Sequence, residues 1–387
     1  MHSRNQTSKE ALTPVPFMNL YAENQTIEAD FLAQAKILIQ TSQLVQGELV
    51  ARFEKAFGQF LGSPHVIGCR SGFDALEIAL RALELPEGSE VICPAQTFIA
   101  TVFAVLRAGH KPVLADVDSE SGLLDFEDMV RKWTSKTRVI LPVHLYGQAI
   151  ALGNFKEFAQ EKNLYLIEDA AQAHGAFCGK QRAGTVGDFG CFSFYPSKNL
   201  GAFGQSGAIV TSQENRAEHC RAFRELGGIQ KNHHQKIGWN ARMDPFQAVA
   251  LELKLVHLEK QNEKRIQKAR RYLSQLKELD NLVLPFPQAN QDHVYHLFVI
   301  LLNSKKNRDG LQSFLHQNKI QSAIHYPVPT HLQPATRKLG YRYGDFPNAE
   351  RFSDCGLSLP LYPDLPNESI DRVCQTIAEY FKWHLKP

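Results

Sequence analysis

The chain has 387 residues and a mass of 43.6 kDa, with 43 Lys plus Arg against 40 Asp plus Glu, a formal net charge of +3. Hydrophobic residues at 43% and charged residues at 21% fit a folded protein and exclude a disordered one. The near-neutral balance gives no argument for a nucleic-acid partner, and no apolar run approaches the roughly 20 residues of a membrane helix.

The first sixteen residues are polar and lack an apolar signal core. They read as an N-terminal extension. The seven cysteines are scattered, odd in number and nowhere spaced C-x-x-C, which argues against a disulfide framework or a cysteine zinc site. A cytoplasmic protein with reduced thiols and no structural metal is the expectation.

From about residue 65 to 212, short β-rich runs alternate with amphipathic stretches. Strands are expected at 66–70, 90–94, 112–117, 139–145, 165–167, 190–194 and 208–211, and helices at 74–83, 97–108, 126–133 and 155–161. This alternation predicts an α/β fold with a largely parallel sheet covered by helices on both faces. Ligands in such sheets sit where strand ends turn into helices.

Four stretches carry chemistry. In Cys69-Arg-Ser-Gly-Phe-Asp-Ala-Leu76 a strand passes through a Ser-Gly turn into a helix, and free N–H groups at a helix start bind phosphate. An ordinary strand-to-helix turn would look the same. In Leu166-Ile-Glu-Asp-Ala-Ala-Gln-Ala-His-Gly175 an apolar strand ends in Glu168 and Asp169. A buried carboxylate there needs a cationic partner, which a protonated heteroaromatic nitrogen would supply; a helix cap is the simpler alternative. His174 reads as a packed, hydrogen-bonded residue. In Phe192-Ser-Phe-Tyr-Pro-Ser-Lys-Asn-Leu-Gly201, Lys198 follows an apolar strand among aromatics. Desolvated there it becomes an amine nucleophile; otherwise it is a solvated loop lysine. The glycines that follow have the wrong spacing for a dinucleotide fingerprint. The fourth stretch, Gly238-Trp-Asn-Ala-Arg242, precedes a helix start at Asp244-Pro245.

One long helix, or two, is expected from Phe246 to Lys277. Beyond about residue 281 the pattern runs strand, helix, strand, helix and ends in an amphipathic helix over 369–385. A large domain at 17–258 and a small C-terminal α/β domain at 259–387 follow as the expected organisation.

Taken together, these stretches resemble the DegT/DnrJ/EryC1/StrS sugar aminotransferases among the fold-type-I pyridoxal-phosphate enzymes. The other stretches that carry the resemblance are Pro94-Ala-Gln-Thr-Phe-Ile-Ala-Thr101, Pro142-Val-His-Leu-Tyr-Gly147 and His325-Tyr-Pro327, and it runs from about Pro16 to the C-terminus. The resemblance implies that Lys198 holds pyridoxal 5′-phosphate as a Schiff base and then moves the proton. It implies that Asp169 pairs with the pyridinium nitrogen, that Phe98 stacks on the ring, and that Gln172 lies at the other face or the ring hydroxyl. The phosphate would rest on the N–H groups of Gly72 and Phe73 and on the Ser193 hydroxyl. Asn240 would reach it from the neighbouring subunit of a homodimer. His325 and Tyr326 would face the sugar. The family often has Thr where this chain has Phe73, so a hydroxyl contact is lost while the backbone contact stays.

The implied reaction is transfer of an amino group, glutamate serving as donor, to a nucleotide-linked keto-sugar, a 3-keto sugar in particular, for lipopolysaccharide or other surface polysaccharide. Two other classes stay open: a desulfurase or aldolase of the same fold, and a non-catalytic regulatory or scaffold protein. A desulfurase needs a mobile, reactive thiol.

Overall fold

The structure is a computed structural model that describes residues 13–230, 232–285 and 292–384. Most of the expected N-terminal extension and the last residue of the expected final helix lie outside these residues.

Fourteen strands occur among the described residues. They are β1 (His65–Cys69), β2 (Glu90–Pro94), β3 (Lys111–Ala115), β4 (Thr137–Ile140), β5 (Tyr165–Asp169), β6 (Phe177–Cys178), β7 (Gln181–Arg182), β8 (Phe189–Ser193), β9 (Gly207–Thr211), β10 (Gly228–Gln230), β11 (His233–His234), β12 (Leu282–Val283), β13 (Phe298–Leu302) and β14 (Gly356–Leu359). Seven form the main sheet in the order β1-β9-β8-β5-β4-β2-β3. The β3-β2-β4-β5-β8 pairings are parallel, and β9 is antiparallel to both β8 and β1. The sheet is therefore mixed but mostly parallel, with helices on both faces. Successive residues of a strand face opposite sides. In β9, Ile209 joins one core layer while Ala208 and Val210 join the other.

The helices are α1 (Leu20–Gln25), α2 (Glu28–Thr41), α3 (Glu48–Leu61), α4 (Gly72–Ala82), α5 (Ala100–Arg107), α6 (Phe126–Lys132), α7 (Gly153–Glu161), α8 (Glu214–Arg224), α9 (Pro245–Leu255), α10 (Leu258–Leu276), α11 (Lys305–Gln317), α12 (Pro347–Cys355) and α13 (Asn367–His384). The stretch from Phe246 resolves into two helices, α9 and α10. Asp244 caps α9 by accepting from the Phe246 N–H, and Pro245 occupies its first position.

Three departures from the sequence reading stand out. The chain before residue 65 holds α1 to α3, which the reading did not place. In α3 the buried Val50, Phe53, Phe57 and Leu61 recur at helical spacing against the sheet. Each of the two phenylalanines contributes roughly 1.5–3 kcal/mol by burial. The expected strand at 139–145 stops at Ile140. Pro142 cannot donate to a ladder, and Leu145–Gly147 is a 3₁₀ turn with Tyr146 at φ 60. Beyond residue 281, β12, β13 and β14 form an antiparallel three-stranded sheet, so two strands precede α11. Its core joins Val15 to α10, α11 and α13.

Candidate active site

A cavity of about 440 Å³ opens at the carboxyl ends of the parallel strands, where α/β sheets bind ligands. Nine of the ten residues singled out from the sequence line it: Gly72 and Phe73 at the start of α4, Phe98 before α5, Asp169 ending β5 with Gln172 beyond it, Ser193 ending β8 with Lys198 beyond it, and His325 with Tyr326. Asn240 is the exception. It lies exposed outside this cavity, with its Oδ1 accepting from Arg242 Nη1.

At the start of α4, Ser71 is the N-cap. Its Oγ accepts from the Asp74 N–H at 3.1 Å and donates to Asp74 Oδ2 at 2.6 Å. This leaves the N–H groups of Gly72 and Phe73, which have no intrahelical partner, at the wall of the cavity. A Cβ at position 72 would lie 2.5 Å from Ser193 Cβ, so only glycine lets the helix start close on Ser193. Two free N–H groups, a helix dipole and a hydroxyl make an anion cradle.

The paired carboxylates part company at the end of β5, because adjacent residues face opposite sides of a strand. Glu168 is fully buried and accepts from His144 Nε2 at 2.9 Å and from the N–H groups of Gly184, Val186 and Gly187, each at 2.7 Å. His144 Nδ1 accepts from the Ile150 N–H at 3.1 Å, so the ring proton sits on Nε2 and points at Glu168. Glu168 is thus a structural acceptor. Glu168→Gln turns an NH₂ group against one of those donors in either orientation. It is expected to cost about 1–3 kcal/mol in chemical denaturation without altering the cavity groups.

Asp169 faces the cavity instead. Its Oδ2 accepts from Thr101 Oγ1 at 2.8 Å and its Oδ1 from the Ala171 N–H at 3.1 Å. Burial raises its pKa above the usual carboxylate value, and the hydrogen bonds and the Lys198 charge only partly offset this. A carboxylate so placed is best satisfied by a cationic ligand.

Lys198 is half-buried, and its Nζ makes no hydrogen bond among the described residues. Burial lowers its ammonium from 10.5 to about 8, against the opposing pull of Asp169. Competitive acetylation of the cofactor-free protein should show this directly. Only the neutral amine reacts, so Lys198 labelling should rise with pH and level off above about 8, while exposed lysines keep rising toward the ordinary 10.5.

Gln172 is locked at both ends. Its Oε1 accepts from the Tyr146 N–H at 2.8 Å and its Nε2 donates to Tyr326 Oη at 3.0 Å. The Tyr326 ring tilts against Phe98 at 5.5 Å, and Phe98 keeps 52% exposure as an uncovered aromatic face in the wall. His325 Nδ1 is 2.8 Å from Ser358 Oγ, and its carbonyl accepts from Tyr146 Oη and, at 3.3 Å, from Gln96 Nε2.

Two residues here, Thr101 and His296, received no role from the sequence: Thr101 holds Asp169 and His296 lines the cavity, in whose wall Gln205 also lies. His174 is packed against Phe192 and Phe194, each at 5.6 Å, with the Ser193 backbone as its hydrogen-bond partner, as expected. Burial holds it neutral, down to about 3. All seven cysteines are free, and burial pushes every thiol up, so none has the low pKa of a reactive sulfur nucleophile.

The cavity thus combines an anion cradle, a carboxylate that calls for a cation and an amine with depressed basicity. Relatives and solved structures agree with that chemistry. The chain is 39% identical over 365 residues to UDP-N-acetyl-3-dehydro-alpha-D-glucosamine 3-aminotransferase of Acidithiobacillus ferrooxidans, covering 94% of this chain and 97% of that one. It is 32% identical over 386 residues to 3-oxo-glucose-6-phosphate:glutamate aminotransferase of Bacillus subtilis, covering 98% and 86%. A crystal structure of DesV from S. venezuelae in complex with a ketimine intermediate superposes with a TM-score of 0.92 at 38% identity, covering 95% and 98%. The profile of the DegT/DnrJ/EryC1/StrS aminotransferase family matches residues 25–378, and the chain belongs to that family.

Proposed function

We propose that this sugar aminotransferase moves the amino group of glutamate to carbon 3 of a nucleotide-linked 3-keto sugar, making an amino sugar for lipopolysaccharide or another surface polysaccharide. The observation that carries this reading is the convergence of the α4 N–H groups, Asp169 and Lys198 on one cavity. Both similar relatives named above carry a 3-oxo or 3-dehydro sugar in their names, and one names glutamate.

The residues fit the family's cofactor, pyridoxal 5′-phosphate. The cradle that a Cβ at Gly72 would fill suits its phosphate, and the desolvated Asp169 suits its ring nitrogen. When bound, the cofactor supplies an electron sink for the carbanion formed during amino transfer. Gly72 and Phe73 N–H with Ser193 Oγ would hold the phosphate, and Asp169 would keep the ring nitrogen protonated. Phe98 and Gln172 would cover the ring. Lys198 would anchor the cofactor. Once released, its Nζ, neutral in good part near pH 8, would take up and return the proton of each half-reaction. His325 and Tyr326 would face the sugar.

The active unit in this reading is a homodimer in which Asn240 serves the partner's site. Its exposure outside its own cavity supports this, as do the uncovered apolar side chains of Leu32, Ile37, Ile39, Val45 and Ile237. We place the domain boundary at 258/259, at the first residue of α10, and the enzyme in the cytoplasm. Among the described residues no helix is long and apolar enough to cross a membrane.

The test is incubation of the cofactor-loaded enzyme with glutamate and either UDP-N-acetyl-3-dehydro-α-D-glucosamine or 3-oxo-glucose-6-phosphate, followed by mass spectrometry. Amination of the nucleotide sugar with formation of 2-oxoglutarate is expected. Amination of the sugar phosphate alone would remove the nucleotide from the reading, and amination of neither would overturn it.

A further inference from the structure

His296 belongs to none of the motifs above, yet it lines the cavity beside Lys198 and is only 6% exposed. We infer that His296 contacts the substrate, its Nε2–H donating to a hydroxyl or carbonyl oxygen of the bound sugar. The inference rests on the sugar aminotransferase reading and adds to it a specificity-determining residue.

The imidazole is built into place. The segment that carries it runs along the Leu145–Gly147 turn, with Val294 N–H donating to the Gly147 carbonyl at 2.9 Å and Leu297 N–H to the Tyr146 carbonyl at 3.1 Å. Gly147 has φ +96, and a Cβ there would lie 2.7 Å from the His296 backbone nitrogen. Only glycine allows that approach. The same turn places the Tyr146 N–H on Gln172, so His296 and Gln172 are fixed by one element.

Neither nitrogen of His296 has a hydrogen-bond partner among the described residues. Nδ1 is sealed from solvent and the residue lines the cavity, which leaves Nε2 as the nitrogen to meet a ligand. A buried orphan N–H is rarer than a buried orphan acceptor. The proton therefore belongs on Nε2, and the ring presents a donor to the cavity. The neighbouring polar groups are already engaged: Asp169 with Thr101 and Ala171, Gln172 with Tyr146 and Tyr326, and His325 with Ser358. Burial, with Lys198 nearby, drives the basicity of His296 well below the ordinary value, so the ring is neutral at working pH. A neutral single donor suits a sugar oxygen better than a phosphate, which calls for charge. His296 also comes from the C-terminal part of the chain, whereas the groups assigned to the cofactor within this subunit lie between Gly72 and Lys198.

The experiment compares wild type with His296→Leu, which deletes the donor at similar size, and His296→Gln, which returns one at similar reach. Three quantities are measured: kcat/KM for UDP-N-acetyl-3-dehydro-α-D-glucosamine, calorimetric affinity for its C3 alcohol UDP-N-acetylglucosamine, and the single-turnover rate with glutamate alone. In His296→Leu the first two should fall by about 10- to 100-fold and the glutamate rate should stay within about twofold. His296→Gln should recover most of the loss. Unchanged sugar affinity and kcat/KM in His296→Leu would overturn the inference, and so would an equal loss in the glutamate rate. Wild type that reacts with glutamate but neither binds nor aminates the sugar would instead overturn the nucleotide-sugar reading, and the inference with it.

Discussion

Lys198→Ala is expected to lower turnover by at least about 10³-fold, because it removes both the anchor of the cofactor and the base that moves the proton. The fold should survive. Lys198 Nζ makes no hydrogen bond among the described residues, and its loop is held by other groups. The Lys198 N–H donates to the Tyr195 carbonyl at 2.8 Å, and Asn199 Nδ2 donates to Asn262 Oδ1 at 2.9 Å and to the Val294 carbonyl at 3.1 Å. Thermal melting of the cofactor-free variant should therefore match cofactor-free wild type, while the visible absorption of the lysine-bound cofactor disappears. Turnover near the wild-type rate would sink the mechanism. The same variant tests the dimer. Mixed with Asn240→Ala subunits, it should regain activity, because one site of each mixed dimer then has both Lys198 and the partner's Asn240. Failure of mixed dimers to regain activity would contradict the cross-subunit role of Asn240.

Asp169→Asn should lower kcat by about 10²- to 10³-fold with little loss of stability. The substitution preserves size. Asn Oδ1 still accepts from the Ala171 N–H, and the new NH₂ meets Thr101 Oγ1. That hydroxyl can turn to accept, because its other neighbour is the Thr97 hydroxyl at 2.9 Å, where either oxygen can donate. What is lost is the negative charge that would hold a proton on the ring nitrogen. Burial already raises the pKa of Asp169, so the carboxylate gains from a cation and the neutral amide does not. A variant that binds pyridoxal phosphate with an unchanged spectrum and keeps the wild-type rate would show that Asp169 does not face the ring.

Much of this site was legible in the sequence because short-range patterns encode it. Buried parallel strands read as apolar runs, and each run here ends in the residue that matters: Asp169 after Tyr165-Leu-Ile, Ser193 after Phe189-Gly-Cys-Phe. The Ser71-Gly72 turn announced a helix start that the Ser71 cap confirms. Resemblance to a family then assigned roles that strand patterns alone left open between a cap and a catalytic group. What escaped depends on contacts between distant segments. Thr101 meets Asp169 across 68 positions of chain, and His296 enters the cavity from beyond α10, so neither carries a local signal. The strand at 139–145 was over-extended because its residues are all buried, and burial persists through Pro142 and the 3₁₀ turn where the ladder stops. In α3 the spacing of Val50, Phe53, Phe57 and Leu61 was a readable helical signal before the first strand. Glu168 and Asp169 looked equivalent in sequence. Only the alternation of β5 separates the structural acceptor from the cavity group.

The central claim is that the α4 N–H groups, Asp169 and Lys198 together hold pyridoxal phosphate and pass an amino group through it. It is tested most directly by the absorption spectrum of the protein loaded with pyridoxal phosphate, recorded before and after glutamate. The account predicts a visible band that glutamate converts to the shorter-wavelength absorption of the pyridoxamine form, with one 2-oxoglutarate released per site. Absence of any band with the wild-type protein would contradict it.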